Sequence, residues 1–342
     1  MTRVTIYPNL LLNPETRPNP YISDLITALS LQKEIEIANR SSKNPLLSIL
    51  NIKAQGDVFI FNWLEDVIFQ KYGILQFLAA IYLILSIKLR GKQFIWMLHN
   101  KSSHTKKYSL ATKCLRILLA RFSSTIITHA KEGIELIKSE YPYATKKSFY
   151  IEHPTKNRLF LNNSKPYEER EFDVLIWGTI SRYKGVAEFV QFIKEQKRNS
   201  LKVCIIGRCS SSELQRELLE AKTINTTIIN ESPSFEDLAD YVNNSRFVLV
   251  PYHSESILSS GVLMDSLSFG AKIIGPNVGS FADYSHSTEV NVYTFEHFDE
   301  IPSIITRYSN QSISIEKYHS FLEKYSWPLY ANQIAKLFNR NK

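Results

Sequence analysis

Short, almost wholly apolar runs recur along this chain with helix-compatible stretches between them, and that alternation leaves few folds open. The first half carries six: R-V-T-I-Y-P (3–8), E-I-E-I-A-N (34–39), D-V-F-I-F-N-W (57–63), K-Q-F-I-W-M-L (92–98), S-T-I-I-T-H (124–129) and K-S-F-Y-I-E-H (147–153). The second half carries six more: D-V-L-I-W-G (173–178), L-K-V-C-I-I-G (201–207), T-T-I-I-N (226–230), R-F-V-L-V-P-Y (246–252), A-K-I-I-G-P (271–276) and V-N-V-Y-T-F (290–295). Strands apolar on both faces need cover on both faces, the condition of a parallel sheet between helices. The expectation is an α/β chain of two doubly wound, Rossmann-like domains. The polar stretch 155–171 is the natural linker, with one domain over 1–158 and a second domain over 165–325. The segment 326–342 reads as a helix that packs back on the first domain. Ligands of such sheets sit beyond the carboxyl ends of the strands, so the two domains are expected to face each other across a cleft.

Charge separates the halves. Residues 1–158 hold 22 Lys/Arg against 11 Asp/Glu, and residues 159–342 hold 19 against 22. No acid stands between Asp66 and Glu132, where 11 basic residues lie. Such a front half suits an anionic lipid, a phosphorylated substrate or nucleic acid. The three cysteines, Cys114, Cys204 and Cys209, are too scattered for a disulfide framework or a zinc site, which fits a reducing cytoplasm. The chain is expected to begin directly with a strand, without a signal peptide.

Glycine is scarce, yet seven of the 11 fall between 178 and 279. Gly178, Gly207 and Gly275 end strands, where a loop turns or a ligand approaches the backbone. In P-Y-H-S-E-S-I-L-S-S-G-V-L-M-D (251–265), a serine-rich loop runs into a helix from about Gly261 to Phe269. Ser259, Ser260, Gly261 and Val262 then stand at a helix start, where free amides and the dipole favour an anion such as a diphosphate. Asp265, a turn later, is placed to meet ribose hydroxyls, and Glu255 to meet a sugar. A serine N-cap with two solvated acids is the plain alternative. The loop G-T-I-S-R-Y-K-G (178–185) offers Arg182 and Lys184, two cations able to neutralise a leaving diphosphate, or simply a solvated basic turn.

These two stretches resemble the GT-B glycosyltransferases of the large retaining family 4 type. Gly178, Lys184 and Gly185 match its G-R-L-x-x-x-K-G-like loop, and M-D-S-L-S-F-G (264–270) matches the L-E-A-L-A-x-G end of its E-x7-E segment. The strand F-I-W-M-L-H-N, ending in His99, is similar to the family's histidine-terminated strand. The sequence departs at Thr179, where the family has arginine, at Asp265 for the second glutamate, and at Ile257 for the first, with Glu255 two residues earlier. The resemblance implies transfer of a sugar from a nucleotide-diphosphate sugar to a hydroxyl, with retention. It implies donor contacts from Gly178, Thr179, Arg182, Lys184, Gly207, Arg208, Glu255, Ser259, Ser260, Gly261, Val262 and Asp265. The catalytic candidates are His99, Lys184 and Glu255. With no D-x-D in the chain, no metal or other cofactor is expected.

The first domain is expected to take a saccharide or polyprenyl-diphosphate-linked acceptor, with Asn19 and Tyr21 as contacts. The run 74–87 is too short to span a bilayer and is read as a buried helix. The segment 106–121 interleaves basic and apolar residues at helical spacing. It is either a helix docking on an anionic membrane surface or one covering the sheet with a solvated basic face. The protein is expected in the cytoplasm, with attachment to the inner face of the membrane, in surface polysaccharide synthesis of the capsule or O-antigen kind. A sugar-nucleotide epimerase on the same fold is the near alternative. A basic nucleic-acid-binding protein is the distant one, although no nucleic-acid motif is present. A dehydrogenase would need a G-x-G-x-x-G that no strand precedes.

Overall fold

The computed structural model describes residues 1–8, 20–40, 44–52, 56–101, 109–163, 165–196, 200–255, 257–312 and 314–338. The chain divides into two compact units, one made of Met1–Pro154 with Tyr325–Lys342, the other of Thr155–Lys324.

In unit 1 the strands are β1 (Thr2–Tyr7), β2 (Ile35–Ile37), β3 (Val58–Asn62), β4 (Gln93–Leu98), β5 (Thr125–Thr128) and β6 (Ser148–Tyr150). They form one parallel sheet in the order β2-β1-β3-β4-β5-β6. Its helices are α1 (Pro20–Ser30), α2 (Pro45–Ile52), α3 (Gly73–Leu89), α4 (Ser109–Phe122) and α5 (Lys131–Glu140). All residues of β3 and β5 are buried, as a sheet covered on both faces requires.

In unit 2 the strands are β7 (Phe172–Trp177), β8 (Val203–Ile206), β9 (Thr226–Ile229), β10 (Ser245–Leu249), β11 (Ile273–Pro276) and β12 (Val292–Phe295). Their order is β12-β11-β10-β7-β8-β9, again parallel throughout. Its helices are α6 (Val186–Glu195), α7 (Ser212–Ala221), α8 (Phe235–Asn243), α9 (Gly261–Ser268), α10 (Gly279–Ser285), α11 (Ile301–Tyr308) and α12 (Ile315–Lys324). From β7 the chain winds outward through β8 and β9, then returns to β10 on the other side of β7. The loops after β7 and β10 therefore diverge, and this reversal of winding is where such sheets open a crevice for a ligand.

The final helix, α13 (Trp327–Phe338), belongs to unit 1. Its Trp327, Tyr330, Ala331, Ile334, Leu337 and Phe338 are buried in one core cluster with Ile22, Leu25 and Leu29 of α1.

The run expected to be a buried helix is buried on one face only. α3 buries Gln76, Ala79, Ala80, Leu83, Ile84 and Ile87, but Ile74, Leu75, Leu78, Tyr82, Leu85 and Leu89 stand exposed. A helix apolar all round carries no signal for which side meets the sheet, so the pattern read burial on both.

Candidate functional site

Glycines bring three loops of unit 2 together. Gly178 follows β7 at φ +97°, a conformation that side chains rarely adopt, and a Cβ there would lie 3.3 Å from Val262 Cγ2 and 3.8 Å from Lys184 Nζ. A Cβ on Gly207, after β8, would fall 1.8 Å from the Gly178 carbonyl oxygen. A Cβ on Gly185 would fall 2.0 Å from the carbonyl oxygen of Pro251, just past β10. The loop after β7 is thus pressed against the loops after β8 and β10 at contacts only glycine permits.

Gly261 differs. It opens α9, and a Cβ there would meet nothing within 4 Å. Neither packing nor a positive φ accounts for this glycine; the space over it is open. Ser260 caps the helix, its Oγ accepting from the Leu263 amide at 3.3 Å. The Met264 amide donates to the Ser260 carbonyl, which leaves the Gly261 and Val262 amides without partners inside the helix. Trp177, at the end of β7, donates from Nε1 to Ser266 Oγ at 2.8 Å and so ties α9 to the sheet.

Lys184 is half-buried, with its ammonium against the same Gly178 turn that meets the Val262 side chain. Its ammonium lies 5.4 Å from the Tyr252 ring centroid, and burial lowers its pKa. Among the described residues no carboxylate lies within ion-pair distance of it. A cation withdrawn from water without a counter-charge is costly, and a bound anion removes that cost. Lys184, the Gly178 turn and Val262 at the start of α9 thus lie close together, with the Gly261 and Val262 amides open.

The remaining expected donor residues divide. Thr179, Arg208 and Glu255 are exposed, and Ser259 is partly exposed. Arg182 points to the surface, where it pairs with Glu217 of α7 at 3.0 Å. Ser260 is 4% exposed and turns its hydroxyl into the cap. Asp265 meets the Arg158 guanidinium at 3.0 Å; that guanidinium also donates to Ser268 Oγ at 2.8 Å and lies 3.8 Å from the Phe235 ring centroid. Ile257, standing where the resemblance places a glutamate, is 6% exposed and part of the core. The roles of Arg158 and Tyr252 are absent from the sequence reading. Both follow strands or linkers where side-chain direction is not written in the pattern, although Tyr252 closes the quoted β10 run.

In unit 1, His99, His129 and His153 follow β4, β5 and β6. Asn62 donates to the Tyr7 carbonyl, so its Oδ1 accepts from His99 Nε2 at 2.9 Å. The His99 ring also stacks on Trp63, with centroids 4.3 Å apart. Burial, aided by the nearby His153, pushes the His99 pKa down to about 3. His129 donates from Nδ1 to the Ile151 carbonyl at 2.8 Å and accepts the Tyr21 hydroxyl on Nε2 at 3.0 Å; Tyr330 in turn donates to Tyr21 at 3.0 Å. Tyr21, expected against an acceptor, is 8% exposed with its hydroxyl held in this chain, which makes it a core residue of unit 1. Asn19 lies outside the described residues.

Residues 171–304 match the family model described as glycosyl transferases group 1. No curated protein sequence matches the chain. Sucrose-phosphate synthase from Thermosynechococcus elongatus shares the fold at a TM-score of 0.71 and 12% identity, over 99% of each chain. HepE from Anabaena, solved with UDP and glucose, aligns at a TM-score of 0.66 and 11% identity, over 99% of this chain and 100% of that one. TarM of S. aureus, solved with fondaparinux, α-GlcNAc-glycerol and UDP, aligns at 0.61 and 12% identity, over 88% of this chain and 60% of its own. The two six-stranded units share the GT-B fold of these solved structures, and the match to the glycosyl transferases group 1 model falls within unit 2.

Proposed function

We propose that the chain transfers a sugar from a nucleoside-diphosphate sugar to a hydroxyl of a saccharide or lipid-linked saccharide, with retention and without a divalent cation, in the building of a surface polysaccharide. The observation that carries the donor half is the open start of α9, with the Gly261 and Val262 amides and the half-buried Lys184, at the winding reversal of the second sheet. The neighbouring structures solved with UDP support the same ligand class.

In this reading the pyrophosphate lies over the start of α9, and the Lys184 ammonium and helix amides stabilise its charge as the anomeric C–O bond breaks. The acceptor oxygen forms the new bond, and its proton passes to the departing diphosphate. Gly178 and Gly261 keep side chains out of the approach. Thr179, Arg208, Ser259 and Glu255, in the loops after β7, β8 and β10, are the groups left to contact nucleotide and sugar. Asp265 acts through Arg158, fixing α9 to the linker, and is a positioning residue. His99 is neutral at ordinary pH, with Nε2 spent on Asn62, so only its Nδ1 lone pair remains to accept a hydrogen bond. It cannot serve there as a cation. Glu255 is exposed and is left as a sugar contact, since the diphosphate itself takes the acceptor proton.

The test is a melting-temperature panel with UDP-, GDP-, ADP- and TDP-sugars in EDTA. One nucleotide class should stabilise the wild type and fail to stabilise Lys184→Met. Stabilisation that needs manganese, or a donor epimerised with no acceptor present, would overturn the reading.

A further inference from the structure

The geometry points to a second surface, on unit 1: the outward face of α3 and α4 rests on an anionic lipid bilayer. This does not depend on the sugar-transfer reading. On α3 the residues Ile74, Leu78, Tyr82, Leu85 and Leu89 are 65%, 56%, 50%, 40% and 87% exposed. Their spacing of four, four, three and four puts them on one stripe of the helix, opposite the side that packs on the sheet. An exposed Leu or Tyr alone is ordinary; five in a row along 17 residues, about 25 Å of helix, form a continuous apolar ridge. The neighbouring α4 adds Leu110 and Ile117, exposed by 82% and 43%, and alternates them with Lys113 and Arg121. No helix among the described residues is long and apolar enough to cross a membrane, so this ridge lies along the surface of one.

Charge selects the occupant. Neither α3 nor α4 contains an acidic residue. Lys71 stands before the ridge, and Lys88 and Arg90 stand at its far end, all exposed. Beside that end, Lys88, Arg121 and Lys147 gather closely enough that the first two, after burial, depress the Lys147 pKa to about 8. Lys147 Nζ is fixed there by the carbonyls of Arg121 and Ser123, at 3.1 and 2.6 Å. Three cations held together beside an apolar ridge match phosphate headgroups above acyl chains. A second copy of the chain would set cation against cation, which argues against dimerisation through this face.

The test is sedimentation of the full chain with vesicles of phosphatidylcholine alone and of phosphatidylcholine with about 30% phosphatidylserine, at about 0.1 M and about 0.5 M salt. Wild type should bind the anionic vesicles at least tenfold better and lose most of that binding at high salt. The double variant Leu78→Glu/Leu85→Glu, and separately Leu89→Glu, should bind at least tenfold more weakly with an unchanged melting temperature. Transfer to a soluble acceptor should stay within about twofold of wild type, because neither variant touches the donor socket. Binding that survives in the Glu variants, no binding to either vesicle, or a solution dimer that the Glu variants split into monomers would overturn the inference.

Discussion

Lys184 costs the fold something in the absence of ligand, because its ammonium is drawn from water with no carboxylate among the described residues beside it. Lys184→Met keeps the stem and removes the charge. The melting temperature should hold or rise, while kcat/KM falls about 100- to 1,000-fold, the usual loss of one charge-stabilising group. Steady-state kinetics and calorimetry check both halves. Gly261→Ala asks a finer question. Its Cβ enters open space at a helix start, where alanine is the better helix former, so stability should hold or improve by a few tenths of a kcal/mol. A nucleoside diphosphate should nonetheless bind at least tenfold more weakly, read by titration calorimetry. Asp265→Asn behaves in the opposite way. It leaves the 8%-exposed Arg158 side chain without its counter-charge, and unfolding titrations should show a loss of about 1–3 kcal/mol, softened by the bond to Ser268. The sequence shows an acid in the right register for a ribose. It gives no hint that a linker arginine 107 residues earlier meets it, because such a pairing depends on three-dimensional approach.

Between elements, close contact is what the glycines provide. Gly207→Ala would drive a methyl into the Gly178 carbonyl, so the β7 and β8 loops must part; a loss of about 2–4 kcal/mol with a matching fall in donor affinity is expected. The three histidines at the ends of β4, β5 and β6 set the acid limit of unit 1. His153 is lowered from the ordinary 6.5 to about 4 and His99 to about 3, with His129 well below 6.5, all first by burial. The unfolded chain therefore binds protons that the folded one refuses. Their contribution is intact above about pH 6.5 and is lost as pH falls toward 4 and 3. Buried Glu65, raised to about 7, works the other way, losing its contribution as pH rises from 4.5 to 7. Three groups outweigh one, so the melting temperature should drop between pH 6.5 and 4.5. A flat profile over that window would contradict the assignment. The twelve strands and the start of α9 at Gly261 were legible, because buried parallel strands and helix caps write themselves into local pattern. The exposed ridge of α3 was not, since a helix apolar on every side conceals its orientation.

At the scale of the molecule, the chain leaves unit 1 at Pro154 and returns to it for α13. That helix buries Trp327, Tyr330, Ile334, Leu337 and Phe338 in the core with α1. At about 1.5–3 kcal/mol for each large side chain, those five contribute roughly as much as a domain's whole net stability. A chain ending at Lys324 should therefore lose the folded unit 1, seen as loss of the near-ultraviolet signal of its tryptophans, while Thr155–Lys324 keeps its own unfolding transition. The proposed donor socket draws only on residues of that second unit, and its defining feature is a phosphate held by an ammonium and helix amides. The most direct measurement is a crystal structure with a bound nucleoside diphosphate, grown in EDTA. The account predicts phosphate oxygens within about 3.5 Å of the Gly261 amide and of Lys184 Nζ. A nucleotide seated elsewhere, or one that enters only with a divalent ion bridging its phosphates, would contradict it.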